Sequence, residues 1–136
     1  MLDCLIMGDS IAVGTARMMP QCTAIAKGGI NSWQYNKDYV QPRKNDFGSE
    51  VVIISLGSND HKGVKTYNEL YKLRERVKAQ RVYWVLPKQE TFPRQADDVK
   101  LIAESFGDHI IKPTRYQEDN VHPSWAGYKQ IAEEAK

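Results

Sequence analysis

Apolar and polar positions alternate along this chain in two rhythms, and the switching between them outlines the fold. Residues 2–7 are a short apolar run stopped by Gly8, as in a strand buried in a sheet. Residues 11–19 change to a helical pattern, with Ser10 placed as the N-cap and Pro20 just past the end. Residues 22–26 read as a second strand closed by Gly28 and Gly29, and 31–42 as a loop with a helical part. The run 51–56 is β-branched and apolar on both faces, as a central parallel strand requires, and Gly57-Ser58-Asn59-Asp60 ends it. Thr66 and Glu69 match a capping box that opens a further helix, with Tyr67, Leu70, Leu73 and Val77 on one face. Residues 82–86 make a fourth strand ended by Pro87. Ala96, Val99, Ile102, Ala103 and Phe106 repeat at helical spacing, and 109–111 is a short last strand. Pro123 suits the first turn of a final helix that carries Trp125, Tyr128, Ile131 and Ala135 inward.

Strands that alternate with helices in this way build a parallel sheet covered on both faces, a three-layer α/β/α sandwich. In such sheets ligands bind beyond the carboxyl ends of the strands. A functional residue should therefore lie just after a strand.

Composition changes the picture mainly by exclusion. At 136 residues the chain is expected to form one domain, 1–136, with a single buried core. A formal net charge of +2, with Lys and Arg scattered, favours no polyanionic partner, and no nucleic-acid binding is expected. Arg74, Arg76, Lys78 and Arg81 read as one solvated helix face. No stretch approaches the about 18 apolar residues of a membrane helix, so no membrane insertion is expected. The apolar run at the N-terminus is too short for a signal peptide. That points to a cytoplasmic protein or a mature domain cut from something longer, and it leaves virion or envelope association open. Cys4 and Cys22 fall in apolar runs and read as buried free thiols rather than a disulfide. No cluster has metal-ligand spacing and no phosphate loop occurs, so neither metal nor cofactor is expected.

Four short motifs fall after strands. They are Gly8-Asp9-Ser10, the pair Gly28-Gly29, Gly57-Ser58-Asn59-Asp60, and Asp119-Asn120-Val121-His122-Pro123. Each alone reads as turn chemistry, since Gly, Asn, Asp and Ser all favour tight backbone shapes. Their coincidence at one sheet edge is harder to explain as turns alone.

In these motifs the chain resembles the SGNH hydrolases, also called GDSL esterases and lipases. Their marks are Gly-Asp-Ser near the N-terminus, a Gly after the second strand, Gly-x-Asn-Asp after the third, and Asp-x-x-His-Pro near the C-terminus. The resemblance spans nearly the whole chain, which would make it a very compact member, and it implies a five-stranded sheet in flavodoxin-like order. It also implies Ser10 as nucleophile, His122 as general base and Asp119 as the carboxylate that orients the imidazole. The oxyanion donors would be the backbone N–H of Ser10, an N–H after the second strand (Gly29 rather than Gly28) and the Asn59 amide. No Gly-x-Ser-x-Gly elbow occurs, which sets the chain apart from the usual α/β-hydrolases.

The remaining chemistry is placed around that core. Trp33, Tyr35 and Phe92 are expected at the catalytic edge, lining an acyl or alcohol pocket, while Trp84 and Trp125 read as core. Asp9 and Asp60 read as structural hydrogen-bond acceptors, His61 as a solvated rim residue and His109 as partnerless. The reaction expected is hydrolysis of a carboxylic ester through an acyl-serine. Small acyl groups, acetyl above all, on a carbohydrate are favoured, because a minimal chain has no lid to bury a fatty acyl group. The alternatives are a lysophospholipase or thioesterase of the same fold and a catalytically idle glycan-binding relative. The oligomeric state is not legible.

Overall fold

The structure is a computed structural model that describes residues 3–136. Its strands are β1 (Cys4–Gly8), β2 (Thr23–Ala26), β3 (Phe47–Ser55), β4 (Val77–Val85) and β5 (His109–Ile111). All pairings are parallel, in the order β2-β1-β3-β4-β5, which is the flavodoxin-like order. Leu2, placed in the first strand by its sequence, lies outside the described residues.

The period-two geometry of a strand divides the core. Ile6, Val51 and Ile53 point to one face and pack under α1 (Ser10–Met18) and α5 (Trp125–Glu134). Met7, Val52 and Ile54 point to the other face. There they meet α2 (Ser32–Tyr35, continued by a π-helical turn, Asn36–Val40), α3 (Thr66–Glu75) and α4 (Pro93–Phe106). The sandwich expected from the alternation of elements is thus the observed architecture. Trp84 is fully buried in it, as expected.

Several local readings are corrected. Asp9, not Ser10, caps α1, its carboxylate accepting from the Ile11 N–H at 3.0 Å. Thr66 does not cap α3; its hydroxyl donates to Asp60 Oδ2 at 2.7 Å, and the cap position falls to Lys65, which makes no side-chain bond there. Val77 opens β4 instead of closing a helix face, because β3 and β4 pair beyond their apolar runs, Phe47 against Val77 and Ser49 against Ala79. The basic residues therefore do not share a helix. Arg74 makes a two-point bond to Asp108, which also accepts from the Trp84 indole, and Lys78 and Arg81 stand on β4. Pro123 precedes the Ser124 cap of α5, which leaves Trp125 at the exposed first turn, 67% accessible.

The free-thiol reading is also overturned. Cys4 and Cys22 form a disulfide, with their Cα atoms 4.8 Å apart. The register sets Leu5 beside Thr23, so the preceding residues of the two chain segments face each other at the spacing of neighbouring strands.

Candidate active site

The motifs assemble at the carboxyl ends of β1, β2 and β3. Gly8 is there for want of a side chain: its φ is +143°, and a Cβ would collide with the Ser55 carbonyl on β3. The same carbonyl accepts from the Asp9 N–H at 3.0 Å, which turns the chain sharply out of the sheet. Ser10 is thereby carried to the first turn of α1.

His122 arrives from the opposite side on a turn that its own motif builds. Asp119 Oδ1 accepts from the backbone N–H groups of Val121 (2.9 Å) and His122 (3.0 Å). Asn120, between Asp119 and Val121, has φ +58°, a left-handed conformation that Asn tolerates. The turn is tied to its neighbours by Thr91, whose hydroxyl donates to the Asn120 carbonyl, and by Lys88, which donates to the Asn120 side chain. The Gln117 N–H donates to the His122 carbonyl at 2.8 Å.

These supports leave three side chains in a line. Ser10 Oγ lies 2.8 Å from His122 Nε2, and His122 Nδ1 lies 2.6 Å from Asp119 Oδ2. The hydrogen bond from the His122 ring, with the two backbone N–H groups, holds the Asp119 carboxyl down at about 2. An ionised Asp119 can only accept, so the ring proton belongs on Nδ1. Nε2 is then the acceptor for the Ser10 hydroxyl. That is the arrangement a hydroxyl needs to be deprotonated as it attacks a carbonyl carbon.

Asn59 enters from the loop after β3. Its Nδ2 donates to the Ile30 carbonyl at 3.1 Å, which leaves the second amide hydrogen free. Gly28 borders the same cleft as Ser10, and a Cβ there would sit 3.8 Å from the Ser10 Cβ. Gly29 follows with φ +79° and open space where a side chain would be.

Two buried carboxylates stiffen this edge, in the structural roles read from the sequence. Asp9 is fully buried, and one of its oxygens has no partner. Burial pushes its carboxyl up to about 7, against the lowering effect of the N–H groups of Ile11 and Ala12. Asp60 accepts from the Ser32 N–H (2.8 Å) and the Thr66 hydroxyl, and its carbonyl accepts from Gln95. It thereby joins the loop after β2, the start of α3 and α4.

Ser10, His122 and Asp119 border an open cleft of about 510 Å³ that continues along α1 past Val13 and Gly14 to Arg17, with Gln117 and Tyr128 opposite. The Asp119 and His122 side chains are 43% and 35% exposed, so among the described residues no lid covers the site. Sequence reasoning missed Arg17, although it stands two helical turns after Ser10 on the same side of α1. Gln117 and Tyr128 gave no such signal, because only the tertiary fold brings them there.

The expected pocket aromatics separate. Trp33 is half-exposed in a second groove, between α2 and α3. Tyr35 is fully buried, its hydroxyl donating to the Ile25 carbonyl, and is a core residue. Phe92 is half-buried ahead of α4 and borders neither depression. His61 is exposed and accepts from the Gly63 N–H, while His109, expected to lack a partner, stacks on Tyr83 at 5.0 Å.

No family model matches the sequence, and no curated protein matches it. Solved structures do. A GDSL-like lipase from Bacteroides thetaiotaomicron matches at TM-score 0.68 and 15% identity, over 96% of this chain and 84% of its own. A member of the lipolytic G-D-S-L family from Veillonella parvula matches at TM-score 0.65 and 16% identity, over 98% and 95%. The chain has the α/β fold of the SGNH/GDSL hydrolases.

Proposed function

We propose that the protein is a serine esterase that cleaves small acyl groups, acetyl above all, from a carbohydrate. The observation that carries this reading is the unbroken line Ser10–His122–Asp119, with separations of 2.8 and 2.6 Å. In the reaction, Ser10 Oγ attacks the ester carbonyl as its proton passes to His122 Nε2. The tetrahedral oxyanion is met by the N–H groups of Ser10 and Gly29 and by the free amide hydrogen of Asn59. His122 returns the proton to the leaving alcohol, which leaves an acyl-serine. Water, deprotonated by the same imidazole, then releases the acid and restores Ser10.

The acyl preference follows from the openness of the site. A cleft with no lid and partly exposed catalytic groups offers a long acyl chain little surface to bury, whereas acetyl needs none. The test is Ser10→Ala, assayed on p-nitrophenyl acetate and on acetylated sugars. Turnover should be lost while the melting temperature holds. A variant with full turnover would remove Ser10 as nucleophile, and with it the esterase reading.

A further inference from the structure

A second depression, wider than the cleft at Ser10, runs between α2 and α3. It measures about 950 Å³, at the upper end of the range for small-molecule sites, roughly 300–1,000 Å³. Trp33, Tyr67 and Tyr71 line it together with the amides of Asn31, Gln34 and Asn68. We propose that this groove binds a neutral saccharide chain and holds it beside the ester-cleaving cleft. The proposal rests on the esterase reading for its purpose but not for the binding itself.

Position supports it first. Asn31 caps α2 directly after Gly28, Gly29 and Ile30, and His61 follows Asn59 and Asp60. The upper end of the groove is therefore built from the two loops that carry the proposed oxyanion donors. From there α3 leads away from the edge, and Tyr67 and Tyr71 follow each other one turn apart, a rise of about 6 Å. Their ring centroids are 6.2 Å apart with planes tilted by 31°, which gives a nearly continuous aromatic wall.

Chemistry selects the occupant. A pyranose ring has C–H faces that lie well on aromatic rings and a rim of hydroxyls that both donate and accept. The Asn31 and Gln34 side-chain oxygens accept from each other's backbone N–H in the cap of α2, which turns their NH2 groups to such a rim as donors, and Asn68 offers both functions. The aromatic walls are also held in place beforehand, which lowers the cost of binding. The Lys37 ammonium lies 5.1 Å over the Trp33 ring, and Tyr71 packs against Phe106 at 5.4 Å. Even so, Trp33 and Tyr71 stay 50% and 40% exposed. A fatty acyl chain here would strand the amides and the charges of Lys65, Glu69 and Lys72 away from water. A phosphorylated ligand would meet the Glu69 carboxylate, already paired with Lys72 at 3.7 Å. A peptide that binds by adding a strand would need an open strand edge, and both walls are helices.

The test is calorimetric titration of the intact protein with unesterified hexaoses of xylose, glucose and N-acetylglucosamine. None carries an ester, so the heat is independent of turnover. At least one should bind, and Trp33→Ala and Tyr71→Ala should each weaken it tenfold or more. Trp125→Ala, which removes an exposed aromatic outside the groove, should leave it unchanged. Both groove residues are half-exposed, and melting temperatures of the variants verify their folding. Failure of every hexaose to bind, or equal binding by the folded Trp33→Ala/Tyr71→Ala double variant, would overturn the proposal. Sugar binding by a protein inert towards esters would overturn only the esterase reading.

Discussion

At the scale of single residues, Asn59 divides catalysis from architecture. One amide hydrogen is held by the Ile30 carbonyl, so on the proposed reading the side chain is already ordered when the other meets the oxyanion. Asn59→Ala is expected to lower kcat by about 10²-fold or more with little change in KM. A residue that only shaped the turn would instead lower the melting temperature and leave turnover per folded molecule intact, so both are read on one preparation. Asp9 supplies the second prediction. Its carboxyl rises from 3.8 to about 7 on burial, so the folded chain binds that proton more tightly than the unfolded chain. Stability contributed by this group therefore falls as pH rises from about 4 to about 7, and stays at the lower level above. Asp9→Asn keeps an acceptor for the Ile11 N–H and removes the titration. The difference between melts at pH 5 and pH 8 should shrink in the variant; an unchanged difference would rule the carboxyl out as its source. Under the proposed mechanism turnover should show an acid limb, because protonated His122 could not take the serine proton, whereas Asp119, held near 2, stays ionised above about pH 4. That limb should persist in Asp9→Asn, and its disappearance there would assign it to Asp9 rather than His122.

At the scale of elements, the Cys4–Cys22 bridge holds the edge strand β2 to β1, with 18 residues of separation including all of α1. Cross-links closing loops of this length stabilise by about 3 kcal/mol through the unfolded chain. The Cys4→Ser/Cys22→Ser variant should accordingly melt lower than wild type under oxidising conditions and match it under strong reductant. Coincident melts without reductant would show that the bridge contributes nothing. This element also shows what a sequence can and cannot disclose. Ile53 and Ile54 on β3 were legible because a strand buried on both faces must be apolar at every position. The bridge was not, because it depends on the register between two strands, which neither strand encodes alone. Thr66 was misread for a related reason. Its motif has the form of a helix cap, but the buried Asp60 carboxylate, six residues back, accepts from the same hydroxyl. The line of Ser10, Asp119 and His122 was readable because each residue sits in a motif that makes its own turn. Gln117, Tyr128 and the α2–α3 groove depend on packing between distant segments.

At the scale of the whole molecule, the fold spends almost no chain on covering its own edge. Among the described residues no helix is long and apolar enough to cross a membrane, and the loops at this edge leave Asp119 and His122 partly exposed. With the cleft open beside His122 and Asp119, each added methylene of an acyl chain has little surface to meet. Across p-nitrophenyl esters of rising chain length, kcat/KM should be highest at acetate and fall beyond butyrate. A rise towards octanoate would favour the lysophospholipase or thioesterase alternative.

The bridge also sits at the far end of the sheet from the chemistry: Cys4 begins β1, and the residue after Gly8 begins the catalytic turn. A reductant would act on one pole of the molecule and, on the proposed reading, an ester on the other. If the bridge were reduced, β2 would be held at that end only by its ladder to β1. Where thiols are scarce the bridge stays closed. On the proposed reading, the redox state of the surroundings would reach the site only through the stability of β2, by a bond at the opposite end of the sheet.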